Sequence, residues 1–224
     1  LTNAMYDANY DNSDAWMKYI VEHYADMTSV LVPLSQLDED KDVDLINATL
    51  SHLESTSESA KQIVADYRKK KAEEKEMRER MREGNPAPEF TFQNEKGKTI
   101  NIKKLKGKII VLDFWASWCG PCRASHPHLK ELHKKYSGKV VFVNVADENV
   151  KDLEQAKKLW KQAVKEDGMT WTQILNNEGK EEQDLLKLYN ITSFPTKILI
   201  DPEGKVVARL VGATADPEEF LKAL

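Results

Sequence analysis

Cys119 and Cys122 are the only two cysteines in this chain of 224 residues, and two residues separate them. They stand in the string Trp118-Cys119-Gly120-Pro121-Cys122, which closes an apolar run from Ile109 to Ala116 and opens a helical pattern from Arg123 to Tyr136. On the first turn of a helix, that spacing brings both sulfurs within bonding reach. Cys119 would then sit at the helix N-terminus, where unpaired backbone N–H groups and the positive dipole end favour a thiolate. Lowering a thiol pKa from about 8.5 to near 7 requires roughly 2 kcal/mol of preferential thiolate stabilisation. Pro121 falls in the first turn, where its missing N–H costs nothing. A Cys-x-x-Cys that follows a strand and opens a helix reads as a dithiol redox site. Its working group is the Cys119–Cys122 disulfide itself, so no added cofactor is expected.

Two plainer roles compete. A purely structural disulfide would close so small a loop that it removes little entropy from the unfolded chain. A zinc half-site would need two further ligands. The five histidines, His23, His52, His126, His128 and His133, show no second paired-ligand spacing, and His126 and His128 diverge on a helix. No metal is expected.

Dithiol exchange requires an accessible nucleophile, a resolving thiol and a proton acceptor. Cys119, nearer the helix end, is the expected nucleophile. Cys122, one turn in, should be more buried and should resolve the mixed disulfide after losing its proton. Asp113 is the candidate base, because it interrupts an otherwise apolar strand. A carboxylate there is desolvated unless it is protonated or partnered, and its pKa should rise. His126, one turn past Cys122, could tune that cysteine, though a packed or exposed histidine is the simpler reading.

From about Asn85 onward the chain resembles the thioredoxin fold, and most closely the TlpA/ResA-like group of bacterial extracytoplasmic thiol-disulfide oxidoreductases. The string from Asp113 to Cys122 is nearly the thioredoxin active-site sequence. Pro127 matches the kinking proline of the active-site helix, and Phe194-Pro195-Thr196 stands where the family carries its cis-proline loop. The resemblance implies an aspartate at position 113 that moves protons for the second cysteine. It implies a cis Pro195 that leaves the preceding backbone free to pair with a substrate strand. Trp118, Gly120, Pro121, Phe194 and Pro195 would form the surface offered to substrate. There are departures. The glutamate that the group commonly places three residues after the second cysteine is Ser125 here. The lysine that accompanies the thioredoxin aspartate is replaced by an apolar residue near Val143. Phe194 is bulkier than the residue often found before the cis-proline.

The elements that must position these residues can be read in order. Residues 1–83 read as an all-α segment of about three helices. The first starts at Ser13 and carries Trp16, Tyr19, Ile20, Tyr24, Met27 and Val30. The second carries Val43, Ile46, Leu50 and Leu53. The third, capped within Ser55-Thr56-Ser57, carries Ile63, Val64 and Tyr67. From Arg68 to Glu83 the apolar stripe fades into mixed charges with Met77 and Met81, as in a solvated connecting helix. Such a bundle has a small core of its own. Gly84-Asn85-Pro86-Ala87-Pro88 marks a boundary, so residues 84–224 form the second domain.

That domain should be α/β. A β-hairpin, residues 89–93 and 99–102, flanks the turn Asn94 to Lys98. Buried strands follow at 109–116 and 140–145, with the active-site helix between them, which implies a right-handed crossover and parallel pairing. A helix carrying Leu153, Ala156, Leu159, Trp160, Ala163 and Val164, then a strand from Thr170 to Leu175, resembles the central insertion of the TlpA/ResA-like group. A further helix carries Leu185, Leu186 and Tyr189. Strands 197–200 and 206–211 flank Asp201-Pro202-Glu203-Gly204 and should be antiparallel. A terminal helix from Pro217 has Asp216 as its cap. The expected whole is a thioredoxin-like fold with an N-terminal hairpin and a central insertion, preceded by the helical segment.

Composition narrows the function. The chain is 41% hydrophobic and 31% charged, with net charge −4. Residues 1–67 hold 13 acidic and 3 basic side chains, a net −10 that leaves +6 for the remainder. An acidic front section argues against a nucleic-acid partner. No run reaches about 18 apolar residues, so no membrane-spanning helix is expected. Leu1 to Met5 lacks a basic and an apolar leader region, and the run Glu218 to Leu224 stops inside a helical pattern, which suggests a trimmed terminus. Cysteine usage does not fix the compartment. The resemblance points outside the cytoplasm.

The expected activity is reduction of protein disulfides through a mixed-disulfide intermediate. Gly-Pro between the cysteines resembles the reducing members of the fold, since oxidants and isomerases usually carry a histidine there. The partners would be protein disulfides and a thiol electron donor, with a membrane redox partner possible and oligomers possible through the helical segment. Two rivals remain. A peroxide reductase of related fold would carry a threonine three residues before its cysteine, where this chain has Ala116. A non-enzymatic binding module would use the helical segment and keep a vestigial dithiol.

Overall fold

The computed structural model describes residues 18, 20–23, 25–214 and 216–222. The chain divides into two compact units, Leu1–Lys75 and Glu76–Leu224.

In the first unit, a 3-10 turn at Thr28–Val30 runs into a short helix α1 (Leu31–Leu34), followed by α2 (Val43–Thr56) and α3 (Glu58–Arg80). Ser57 caps α3 by accepting the Ala60 N–H, as its place before the apolar stripe predicts. Val21, Val30, Leu34, Leu37, Leu50, Leu53 and Val64 form the core. Three residues expected on apolar stripes, Met27, Val43 and Ile63, are exposed instead. With few layers to cover it, a thin helical unit leaves the rims of its apolar stripes in water. Ser13, Trp16, Tyr19 and Tyr24, expected on the first helix, lie outside the described residues.

The solvated stretch after Arg68 is not a separate helix. It continues α3, whose exposed face carries the i,i+4 pairs Lys70–Glu74 and Glu76–Arg80. The division between the two units falls inside α3, after Lys75.

The second unit is a five-stranded sheet of order β5-β4-β3-β6-β7, beside a separate hairpin of β1 (Thr91–Gln93) and β2 (Thr99–Asn101). The strands are β3 (Ile109–Trp115), β4 (Val140–Ala146), β5 (Thr172–Leu175), β6 (Thr196–Ile200) and β7 (Val206–Val211). β3, β4 and β5 are mutually parallel, while β6 runs antiparallel to both β3 and β7. The helices are α4 (Gly120–Lys135), α5 (Leu153–Glu166), α6 (Leu185–Leu188) and α7 (Glu218–Leu221). Asp216 caps the last, accepting the Glu218 N–H at 2.8 Å. The hairpin turn is fixed by Asn94, whose side chain accepts from the Lys96 and Lys98 N–H groups, with Gly97 at positive φ. It docks on β5, where Glu95 N–H donates to the Gln173 carbonyl. Gly179 is required nearby, since a Cβ there would lie 2.6 Å from the Phe92 ring.

Period-two alternation sorts the sheet's side chains into two layers. Ile110, Leu112 and Phe114 of β3 join Val143, Val145, Ile198, Ile200 and Tyr189 on one face, with Phe90 and Phe92. Val111 and Trp115 join Phe142, Ala146 and Leu199 on the other, under Leu129 and Leu132 of α4 and Ala156 and Trp160 of α5. Asp113 is in step with Val111 and Trp115. It therefore points into the layer that holds both cysteines.

Candidate active site

Cys119 is the N-cap residue of α4, with extended backbone, and Cys122 lies in the first turn with Gly120 and Pro121 before it. The two sulfurs are bonded, with Cα atoms 5.3 Å apart. The Cys119 sulfur also accepts the Cys122 N–H at 3.2 Å, the contact a capping oxygen would otherwise make. Cys119 retains 5% of its surface and Cys122 none, so only the first cysteine has a solvent edge. A Cβ on Gly120 would meet nothing within 4 Å. Packing does not demand glycine at that position, and its bare backbone leaves the approach to the sulfurs open.

The loop before the cysteines is held from below. Glu148, almost fully buried just after β4, accepts from the Ser117 N–H at 2.9 Å and the Ser117 hydroxyl at 2.6 Å. Asn177 in turn donates to the Glu148 carbonyl. Across the site the Phe194–Pro195 peptide is cis. Trp118 and Phe194 pack with ring centroids 5.8 Å apart, which joins the cysteine loop to the proline loop. Trp118 is 59% exposed, Phe194 half-buried and Pro195 buried.

Asp113 is 1% exposed. Its cross-strand neighbours are Asn144 on β4 and Lys197 on β6. Asn144 Nδ2 donates to Asp113 Oδ2 at 3.0 Å, and its orientation is fixed because its Oδ1 accepts from Trp171 Nε1 at 2.7 Å. Lys197 Nζ lies 3.7 Å from Asp113 Oδ1, and both side chains are buried. A lysine thus accompanies the aspartate after all. It comes from β6; Val143, where the sequence suggested an apolar replacement, faces the opposite layer of the sheet, and the β4 residue paired with Asp113 is Asn144. Two buried opposite charges in contact offset much of each other's desolvation.

His126 is neither exposed nor merely packed. It is fully buried, stacked edge-on to Trp115 at 4.8 Å, with Nε2 3.9 Å from Asp113 Oδ2. Its Nδ1 is 2.7 Å from Asp167 Oδ2. Arg123 reaches the same carboxylate through Nε and a second nitrogen, the latter at 2.7 Å, and also binds Glu166 at 2.9 Å. Burial pushes the Asp167 carboxyl up, but hydrogen bonds from Arg123 and His126 and their charges outweigh it and hold the group below its ordinary value. Hydrogen bonds to Asp167 and Glu166 raise Arg123 in turn. Ser125 is turned away from this chemistry, its hydroxyl donating to the Cys122 carbonyl.

Of the residues the sequence offered, the fold brings Asp113, Cys119, Cys122, Trp118 and Phe194 around one helix end. It adds Asn144, Lys197, Glu148, Asp167 and Arg123, which sequence reasoning did not assign to the site, and it ties His126, raised from the sequence only as a residue that could tune Cys122, to Asp167 and Arg123. Asn144 carried a signal of the same kind as Asp113, a lone polar residue in the apolar run Val140 to Val145.

The Redoxin family model matches residues 82–224. A thiol-disulfide oxidoreductase ResA from Bacillus thuringiensis is 32% identical over 148 residues, 65% of this chain and 80% of that protein. The ResA of Bacillus subtilis is 30% identical, covering 62% of this chain and 73% of its own. Among solved structures, a putative thiol:disulfide interchange protein DsbE from Chlorobium tepidum aligns with TM-score 0.51 and 30% identity, over 64% of this chain and 94% of that one. A thiol:disulfide interchange protein from a Bacteroides species aligns with TM-score 0.53 and 31% identity, over 64% and 90%.

Proposed function

This chain belongs to the Redoxin family and is a thiol-disulfide oxidoreductase of thioredoxin-like fold; from that premise we propose that it reduces protein disulfides, with Cys119 attacking and Cys122 resolving. The observation that carries the reading is the difference between the two sulfurs. Only Cys119 reaches solvent, and it alone occupies the cap position of α4, where the helix N–H groups favour its thiolate.

The cycle follows from that asymmetry. The Cys119 thiolate attacks a substrate cystine and forms a mixed disulfide, releasing one substrate thiolate. Cys122 then gives its proton to Asp113 and attacks the Cys119 sulfur. The Cys119–Cys122 bond forms, the bond to substrate breaks, and two electrons have passed to the substrate. Asn144 and Lys197 hold the Asp113 carboxylate in place. Trp118, Phe194 and the open backbone at Gly120 and Pro121 give the incoming strand its surface, with Pro195 contributing no N–H to compete for it.

The partners in this reading are protein disulfides on one side and a thiol donor on the other. We place the activity outside the cytoplasm on the resemblance to the extracytoplasmic group. Among the described residues no helix is long and apolar enough to cross a membrane. Residues 1–83 act in this reading as a helical segment distinct from the redox domain.

The reduction potential of the Cys119–Cys122 couple tests the direction of the reaction. A reductant should lie near thioredoxin, at about −270 mV, whereas a value near about −120 mV would make the protein an oxidant and overturn the assignment.

A further inference from the structure

We propose that His126, oriented by Asp167, is a positioning residue that takes the Cys122 proton onward from Asp113 and returns it to solvent. The inference rests on Asp113 being the base. What leads to it is a buried imidazole nitrogen that has no hydrogen-bond partner among the described residues and faces a buried carboxylate.

The proton's place on the ring follows from its neighbours. Asp167 is held ionised by Arg123 and accepts at 2.7 Å, so His126 Nδ1 carries the hydrogen. In the neutral ring Nε2 is then a bare lone pair. Among the described residues it has no hydrogen-bond partner, and Asp113 Oδ2 is 3.9 Å away. A neutral, protonated Asp113 can donate to that lone pair, whereas an ionised Asp113 can accept from an imidazolium. One proton therefore fits between Oδ2 and Nε2 in either arrangement. A closure of about 1 Å would bring the gap to hydrogen-bond length.

The groups facing His126 come from every element around it. Asp113 approaches from β3, with Lys197 of β6 behind it. Asp167 approaches from the end of α5, bonded to Arg123 of α4, which also binds Glu166. Cys122 lies one turn back on α4 itself. Asp113 has no surface of its own through which to shed a proton, while Asp167 retains a solvent edge.

Cys122 loses its proton to Asp113, and its thiolate displaces the substrate thiolate from Cys119. The departing thiolate takes a proton from solvent. Asp113 passes the Cys122 proton to His126 Nε2, and the imidazolium, whose Nδ1–H is bonded to Asp167, loses a proton to water through the solvent edge of that carboxylate.

The alternative is that His126, Asp167 and Arg123 only clamp α4 to the end of α5. The test uses single-turnover release of substrate from the Cys119 mixed disulfide, measured from about pH 5 to 9, a span that covers the ordinary imidazole range. His126→Asn keeps a donor for Asp167 but cannot accept at Nε2. It should slow release about tenfold or more and remove one ionisation from the pH profile. Combining it with Asp113→Asn should add nothing to the loss from Asp113→Asn alone.

An unchanged rate and profile in His126→Asn, with Asp113→Asn impaired, overturns the relay and leaves the base assignment standing. If neither variant is impaired, both readings fall. Additive losses place His126 outside the Asp113 route and also overturn the relay. Nitrogen NMR of the wild-type imidazole gives a second readout, independent of any variant's folding. The neutral ring should be protonated at Nδ1, and a neutral ring protonated at Nε2 would contradict the proposal.

Discussion

Lys197 stands directly across from Asp113 in the sheet, β6 against β3, with its ammonium 3.7 Å from the carboxylate and both side chains closed to solvent. Among the described residues Asp113 accepts a hydrogen bond from Asn144, and the Lys197 nitrogen has no hydrogen-bond partner.

Breaking the pair from one side should therefore cost more than removing it whole. Lys197→Met leaves Asp113 buried without its counter-charge and should destabilise the domain by about 3–5 kcal/mol. Asp113→Asn combined with Lys197→Met should recover a large part of that loss. Urea unfolding of the two single variants and the double variant measures the coupling; additive losses would show that the two groups do not interact.

Asp113→Asn should slow resolution of the mixed disulfide by about a hundredfold, the lower range for loss of a positioned base. The first attack by Cys119 should keep its rate. Rapid-quench separation of the two steps checks this. Equal slowing of both would give Asp113 a structural role only.

Asp167 links the site to acid stability. Its folded pKa lies below the unfolded value near 4, because Arg123 and His126 outweigh the cost of burial. A carboxylate depressed by folding adds stability above the unfolded pKa, and that increment is lost as pH falls through the folded pKa. Wild type should therefore exceed Asp167→Asn in stability at neutral pH, and the gap should close below about pH 4. Thermal or urea unfolding across that range checks the sign. A gap that widens on acidification would contradict it.

Trp118 is mostly exposed beside Cys119 and packs at a tilt against the Phe194 ring. Trp118→Ala should change stability by no more than about 0.5 kcal/mol, as for an exposed site, while raising KM for a protein disulfide several-fold with kcat nearly unchanged. Steady-state reduction assays separate the two constants.

The parts of this fold that are legible in sequence are local. The buried strand 109–115, the cysteines at the opening of α4, the Asn94 turn and the Asp201 turn all declare themselves within a few residues. The parts that are not depend on pairings far apart in the chain. Lys197 reads as the polar start of a strand until its register against Asp113 is known. His126 and Asp167 are 41 positions apart, and no periodicity links them. Val143 was the wrong place to seek the lysine's replacement because the face a strand residue takes is set by its pleat, not by its alignment to another protein. The front helices show the converse limit. Mixed charge after Arg68 marks solvation correctly but says nothing of where α3 ends, because charge patterning does not stop a helix.

The central claim is that exchange passes through Cys119 and is completed by Cys122. Trapping tests it directly: each cysteine is replaced singly by serine, and the reduced protein is mixed with a model protein disulfide and resolved without reductant. Cys122→Ser should accumulate a covalent adduct through Cys119, and Cys119→Ser should accumulate none. An adduct formed by Cys119→Ser and absent from Cys122→Ser would contradict the account.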